Sequence, residues 1–303
     1  MKKAAFVAVE GRPSAGKSTL VNRFCGEKVA IVSPFPQTTR NAIRGIVNRE
    51  QGQLVFIDTP GRHKSGKKFN KKLAEISGRA AAGSDIVLYV LDASRRPGPE
   101  EEEITAFLAP YAGRTVVAVN KLDADGADYD RAVAFLAGRL KGFDPGRCFG
   151  ISAKKKEGLE ALLAALFAAA PEGEPFYGAE FYTDQEAGFR IAEIIREQAI
   201  MRLSEELPHA LYVDMADLEF AEADAGKPGA QAKLWARAFI VVERESQKGI
   251  VIGSGGAMIK AIRLASLKEL RRIFDWEISL DLRVKTARDW RRNDNTLRRI
   301  TER

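Results

Sequence analysis

The stretch that decides the fold is Gly11-Arg12-Pro13-Ser14-Ala15-Gly16-Lys17-Ser18. It has the spacing G-x-x-x-x-G-K-[ST], follows a strand-like run over 4–10 and opens a helical pattern over 17–25. The backbone N–H groups of such a turn, with a helix N-terminus behind it, aim partial positive charge at one point where phosphate oxygens can lie. Gly11, Ser14, Ala15, Gly16, Lys17, Ser18 and Thr19 are the candidate phosphate-binding residues. Lys17 would reach the outer phosphates, and the Ser18 hydroxyl would ligate Mg²⁺. The motif predicts a nucleoside triphosphate without saying which base.

Working outward, apolar runs over 43–50, 53–57, 86–92, 115–120 and 148–151 alternate with helical patterns near 69–82, 100–109, 127–140 and 157–169. This alternation predicts an α/β domain, a mostly parallel sheet wrapped by helices. Ile86-Val87-Leu88-Tyr89-Val90-Leu91 is continuously apolar, as a strand covered on both faces should be. The acidic run Glu100 to Glu103 reads as a first helical turn favoured by the helix dipole.

Asn120-Lys121-Leu122-Asp123, at the end of a predicted strand, supplies the base. The Asp123 carboxylate can accept from N1–H and the exocyclic amine of guanine, a pair that adenine does not offer. A site built on such bonds rejects the analogue by about 10⁴–10⁵-fold. Asn120 can brace the loop, the Lys121 stem can cover the ring face, and Ser152-Ala153-Lys154 offers the Ala153 N–H to the guanine oxygen. Asp58-Thr59-Pro60-Gly61 matches a second phosphate-sensing element, with Asp58 holding Mg²⁺ through water and Gly61 offering its N–H to the γ-phosphate. Pro36-Gln37-Thr38-Thr39-Arg40-Asn41 would form the first switch. One of its two threonines, Thr39 in preference to Thr38, would close onto Mg²⁺ and the γ-phosphate. Ser18, Thr39 and Asp58 are then the metal-facing set, and Lys17, Thr39 and Gly61 the catalytic one. Both loops would be released once that phosphate is lost.

The chain has 303 residues, 45% hydrophobic and 29% charged, about two domains' worth of ordinary globular composition. Cys25 and Cys148 are far apart and without ligand spacing. No apolar run reaches the ~20 residues of a membrane span, and the start shows no leader pattern, so a cytoplasmic location is expected. The net charge of +7 is uneven. Residues 1–170 have 27 basic against 18 acidic side chains, 171–224 have 3 against 14, and 225–303 have 18 against 9. A basic final third behind an acidic connector suits a nucleic-acid-binding module. Pro171-Glu172-Gly173-Glu174-Pro175 reads as a linker. The expected organisation is a domain over 1–170, a linker over 171–183 and a second domain over 184–303.

The elements GRPSAGKS, QTTR, DTPG, NKLD and SAK together resemble the Era family of P-loop GTPases. Tyr182-Thr183-Asp184-Gln185, Ala192-Glu193-Ile194-Ile195-Arg196-Glu197 and Val242-Glu243-Arg244-Glu245-Ser246-Gln247-Lys248 extend the resemblance, as does Val251–Lys260, across essentially the whole chain. It implies GTP hydrolysis to GDP with Mg²⁺ and a smaller α+β KH domain of type II. Its implied partners are small-subunit (16S) ribosomal RNA near the 3′ end and the maturing small ribosomal subunit. It also implies a monomer with peripheral contact at the inner face of the cell membrane, although no amphipathic anchor stands in the sequence.

In the second half a helix is expected from Thr183 or Asp184, then strands over 209–220 and 234–243, helices near 256–263 and 265–274, and a strand over 276–285. Gly253-Ser254-Gly255-Gly256 matches the GXXG turn with which KH modules clamp about four nucleotides. Ile250, Val251, Ile252 and Ile259 would line the base-facing groove. Ile252, Gly253, Ser254, Gly255, Gly256, Ile259, Lys260, Arg291 and Arg292 are the candidate RNA-binding residues.

Three departures stand out. Arg62 follows Gly61 where Ras-type enzymes place a water-orienting Gln. Ser14 stands where relatives that use K⁺ have Asn, and the GXXG interior, Ser254-Gly255, has no lysine. The arginines of the C-terminal tail, Arg288, Arg291, Arg292, Arg298, Arg299 and Arg303, could compensate for the missing lysine. Arg62 could stabilise charge in the transition state, but it reads, with His63, first as a solvated switch residue. Lys64, Lys67, Lys68, Lys71 and Lys72 could touch RNA or another partner, but read first as a solvated helix face.

Overall fold

The computed structural model describes residues 1–36, 38–61, 68–223 and 231–301. Gln37 of the expected first switch, Arg62, His63, Lys64, Lys67, residues 224–230 and Arg303 lie outside the described residues. The chain divides into two units, one of Met1–Val32 and Pro36–Asp184, the other of Ser33–Phe35 and Gln185–Thr301.

The first unit runs β1 (Lys3–Glu10), α1 (Lys17–Cys25), β2 (Ile43–Arg49), β3 (Gly52–Asp58), α2 (Lys68–Gly83), β4 (Ile86–Asp92), α3 (Pro99–Leu108), β5 (Thr115–Asn120), α4 (Tyr129–Arg139), β6 (Cys148–Gly150) and α5 (Leu159–Ala169). Its six strands lie in the order β2-β3-β1-β4-β5-β6. Only β2 is antiparallel to its neighbour. Every residue of β4 is buried, because helices cover both faces of a parallel sheet. The strand order reverses at β1, which lies between β3 and β4, so the loops leaving β1, β3, β4 and β5 open at one edge. Ligands of open α/β sheets bind at such an edge.

The stretch expected as a linker is instead a strap laid along the first unit. Ala4 N donates to Pro171 O, the Phe176 ring packs tilted against Phe6 with centroids 4.4 Å apart, and Gln53 Oε1 accepts from the N–H groups of Phe176 and Tyr177. Ile46 N donates to Tyr182 O, and Thr183 Oγ1 to Arg44 O. The strap's aromatic residues and the unpaired edge of β2 explain why a Pro/Gly-rich stretch is held.

The second unit runs α6 (Ala187–Ile200), a turn of helix α7 (Leu207–Ala210), β7 (Tyr212–Ala221), β8 (Lys233–Val242), α8 (Glu245–Ile252), α9 (Ala257–Ile273), β9 (Glu277–Thr286) and α10 (Asp294–Thr301). The sheet order is β7-β8-β9, antiparallel then parallel. A parallel β8–β9 pair needs a crossover, and α8 with α9 supplies it. The core joins Ile191 and Ile195 of α6, Val251 of α8, Ile262 and Leu270 of α9, and Ala236 and Ile240 of β8.

Four expectations are corrected here. The first helix of this unit begins at Ala187, because Tyr182–Asp184 belong to the strap. The two helices expected near 256–274 are one, since no Gly or Pro interrupts 257–273. The strand expected through Glu243 ends at Val242, and an unforeseen helix, α8, follows. Gln247 Oε1 accepts from Glu243 N and Arg244 N, a side-chain cap that Gln247 near the helix start could have signalled. That helix rotates Val251 into the core at 0% exposure, so Val251 cannot line the expected groove.

Candidate nucleotide and nucleic-acid sites

Gly11 leaves β1 with φ +149°, and a Cβ there would meet Val90 O at 2.5 Å. Gly16, at φ +101°, gives a Cβ no room against Asn120 Nδ2. These two positions need glycine because the loop must turn tightly and lie against the neighbouring strands. Ser14 is exposed at the loop tip with φ +61°. Lys17 Nζ folds back to donate to Gly11 O (3.0 Å) and Arg12 O (3.1 Å). Burial pushes the Lys17 ammonium down, opposed by the nearby Asp58 and Glu10 carboxylates.

Three residues far apart in sequence meet beside that loop. Ser18 Oγ donates to Asp58 Oδ2 at 2.6 Å and lies 3.0 Å from Thr39 Oγ1, which is itself 3.4 Å from Asp58 Oδ2. The fold therefore brings Thr39 to this point. Burial pushes the Asp58 carboxyl up, against the opposing effects of Lys17 and of the Ser18 and Thr39 hydroxyls. Asp58 Oδ1 is buried without a hydrogen-bond partner. An unused carboxylate oxygen beside two hydroxyls suits Mg²⁺, a hard cation that takes oxygen ligands. Thr59 Oγ1 donates to Val9 O, fixing the loop after β3 to the central strand. Gly61 presses on the phosphate loop, for a Cβ there would lie 2.6 Å from Pro13 N.

The base-reading loops are braced together. Asn120 Nδ2 donates to Ala15 O (2.8 Å), and Asn120 Oδ1 accepts from Ala153 N (3.0 Å). Ser152 Oγ donates to Asp123 Oδ1 at 2.6 Å and accepts from Lys155 N. The Ser152 hydroxyl is the main cause holding the Asp123 carboxyl below the usual carboxylate range. Lys154 is exposed, while Arg23 of α1 grips the backbone of Ala153. Arg12, Asp92 and Glu101 also join this edge, a cluster that motif reading passed over. Asp92 ends a strand as Asp58 and Asn120 do, and that shared position was its signal.

In the second unit Gly253, Gly255 and Gly256 all have positive φ (+74°, +56°, +79°), so the chain turns sharply between α8 and α9. Ser254 and Gly255 are exposed, as is Lys260 on the first turns of α9. Ile252 and Ile259 are half-buried beside the turn, and Ile250 is exposed. Arg291 is committed elsewhere: its guanidinium pairs with both carboxylate oxygens of Glu243, which holds the Glu243 carboxyl low. Arg299 faces Asp214 at 3.4 Å. Arg292 is exposed.

A phosphate loop on the central strand, with a carboxylate braced where the base would sit, makes the first unit a P-loop domain of the GTPase class. A family profile described as 50S ribosome-binding GTPase matches residues 6–121, and one described as KH domain matches 206–291. The chain belongs to the Era family of GTPases, and it hydrolyses GTP. It is 50% identical over 295 residues to GTPase Era of Treponema denticola, covering 97% of this chain and 98% of that one. Against GTPase Era of Borreliella burgdorferi the identity is 41% over 298 residues, covering 98% and 99%. Among solved structures, an Era in complex with MgGDPNP and nucleotides 1506–1542 of 16S ribosomal RNA superposes with a TM-score of 0.88 at 31% identity, over 99% of this chain and 98% of that one. An Aquifex aeolicus Era variant bound to GDP and aluminium fluoride gives the same TM-score and identity, over 98% of each chain. No single helix among the described residues is long and apolar enough to cross a membrane.

Proposed function

We propose that this GTPase is a nucleotide-switched binder of small-subunit ribosomal RNA near its 3′ end, acting in the cytoplasm on the maturing small subunit. The observation that carries the switch is the meeting of Ser18, Thr39 and Asp58, with one Asp58 oxygen unpaired. The RNA assignment is supported by the GSGG turn and by the Era solved with a 16S RNA fragment.

In this reading Lys17 exchanges its two carbonyl partners for phosphate oxygens when nucleotide enters. Ser18, Thr39 and Asp58 would hold Mg²⁺, Asp58 through water. When bound, that ion neutralises charge on the β- and γ-phosphates. Thr39 lies on the first switch, so it reaches this point only while that segment is closed. Gly61 lies against the phosphate loop, and its N–H would be the donor to a γ-phosphate oxygen. Asp123 reads the guanine edge, and Asn120 ties its loop both to the phosphate loop and to Ala153, whose N–H it takes in place of the expected base oxygen. Catalysis is then positioning and charge stabilisation around in-line attack by water. RNA phosphates approach the backbone of Gly253–Gly256, with Ile252 and Ile259 flanking the bases and Lys260 and Arg292 adding charge.

The test is crosslinking of the purified protein to total RNA in its GTP-bound and GDP-bound states. Enrichment of the 3′ end of small-subunit RNA, at different yield in the two states, is the expected result. Equal yields without enrichment would overturn the reading.

A further inference from the structure

Asp92 ends β4 with its side chain fully buried, and two cations from two ligand-facing loops converge on one of its oxygens. Arg12 Nη2 of the phosphate loop donates to Oδ2 at 2.7 Å, and Lys121 Nζ of the base loop donates to the same oxygen at 2.6 Å. Ser94 N and Ser94 Oγ donate to Oδ1, so both carboxylate oxygens are used. Burial opposes the charge on Asp92, but the bonds from Lys121 and Ser94 outweigh it and hold the carboxyl below the usual range. Glu101, in the first turn of α3, brings Oε1 to 2.9 Å from Arg12 Nε while its Oε2 accepts from Gly98 N.

We infer that Asp92 is a positioning residue for guanine nucleotide, fastening the base-reading Lys121 to the Arg12 of the phosphate loop through one shared carboxylate oxygen. Two features set this apart from an ordinary buried ion pair. Lys121 has φ +68°, a conformation that residues with a Cβ rarely adopt, so it needs to be held from outside its own backbone. Its side chain is anchored at the tip yet remains one-third exposed, which leaves the alkyl stem free to cover a purine face. Asp92 also sits directly opposite Asn120 in the β4–β5 register, and Ala93 N donates to Asn120 O. The neighbour of Lys121 is thus fixed by the same strand end. Without Asp92 the ammonium would leave the phosphate loop, and the stem would no longer be held over the base.

This inference rests on the base-site reading above. The experiment is a double-mutant cycle on the rate of GDP release, using Asp92→Asn, Lys121→Met and the pair, with Asp123→Asn as a separate control. Each single substitution should speed release about tenfold, the scale of losing one hydrogen bond to a charged group. The pair should release GDP no faster than the faster single variant, because both remove one link. Additive effects would overturn the inference, showing Asp92 to be merely structural. Should Asp92→Asn fail to fold, Lys121 alone decides the matter. Lys121→Met should release GDP fast and Lys121→Arg, which can still reach Asp92, should restore retention; wild-type release by Lys121→Met would overturn the inference. A shift of Asp123→Asn toward xanthosine nucleotides separates the two failures. With that shift, an additive cycle sinks only the role of Asp92; without it, the base-site reading itself falls.

Discussion

Ser152 Oγ reaches across from the loop after β6 to donate a 2.6 Å hydrogen bond to Asp123 Oδ1, joining two motifs that lie 29 positions apart. The bond holds the Asp123 carboxyl below the usual range. A depressed carboxyl stays ionised above the free aspartate value of about 3.9, and its contribution is lost only as pH falls through the lower folded value. GDP retention should therefore hold as pH is lowered to ~4.5 and fail below the ordinary aspartate range. Ser152→Ala should move the onset of that loss to higher pH. Retention measured against pH for the two proteins checks this, and coincident curves would contradict it.

Thr39 and Thr38 should separate cleanly. Thr39 Oγ1 lies 3.0 Å from Ser18 Oγ, and its side chain is buried beside Asp58. Thr39→Ala should lower Mg²⁺-dependent GTP turnover at least about tenfold, the scale of a lost charge-stabilising contact. Thr38→Ala should stay within about threefold of wild type, and GDP affinity should change little in both. Phosphate release against Mg²⁺ concentration is the measurement. Equal losses in the two variants would overturn the assignment of Thr39 to the metal and the γ-phosphate.

Gly61 allows the loop after β3 to lie on the phosphate loop. An added Cβ would stand 2.6 Å from Pro13 N and 2.8 Å from Pro13 Cα, both backbone atoms that cannot rotate away. Gly61→Ala should cost about 1–3 kcal/mol of overpacking and push the γ-phosphate donor off its position. Turnover should fall more than GDP affinity, with the fold retained by circular dichroism. Turnover at the wild-type rate would exclude the close approach.

The RNA side yields a contrast among three substitutions. Gly255 has open space around it and φ +56°, which Asp tolerates better than most residues, so Gly255→Asp should fold. Its carboxylate should repel phosphate and erase preference for cognate over scrambled RNA. Arg292→Ala should weaken both RNAs alike and reduce the salt slope by at most about 0.7. Arg291→Ala should instead lower the thermal midpoint, because it leaves Glu243 without its partner. Binding measured at several salt concentrations, with GDP binding as the folding control, distinguishes the three.

Much of the first unit was legible before folding. The phosphate loop, DTPG, NKLD and SAK are contiguous, and each sits at the end of an apolar run of strand length. Local preferences act over a few residues, so a turn, a cap or a buried strand is written where it forms. The same holds for the GSGG turn, whose three positive-φ glycines adjoin one helix and open the next.

Other features depended on which strands and helices became neighbours. Arg12 and Asp92 are 80 positions apart and pair because β1 lies beside β4; Glu243 and Arg291 meet across 48. Val251 turns inward because α8 packs on α9 and β9, a rotation that an apolar Ile250-Val251-Ile252 run does not specify. Residues 171–183 look like a linker by composition, yet β2 had an open edge for them to cover. From the amino-acid sequence alone came the chemistry that this protein carries: a phosphate loop, a guanine-reading carboxylate and a nucleic-acid turn. Tertiary structure decided which charges are spent on one another and which remain for a ligand, because an ion pair is set by distance in space and sheet order creates that distance only after the chain has folded.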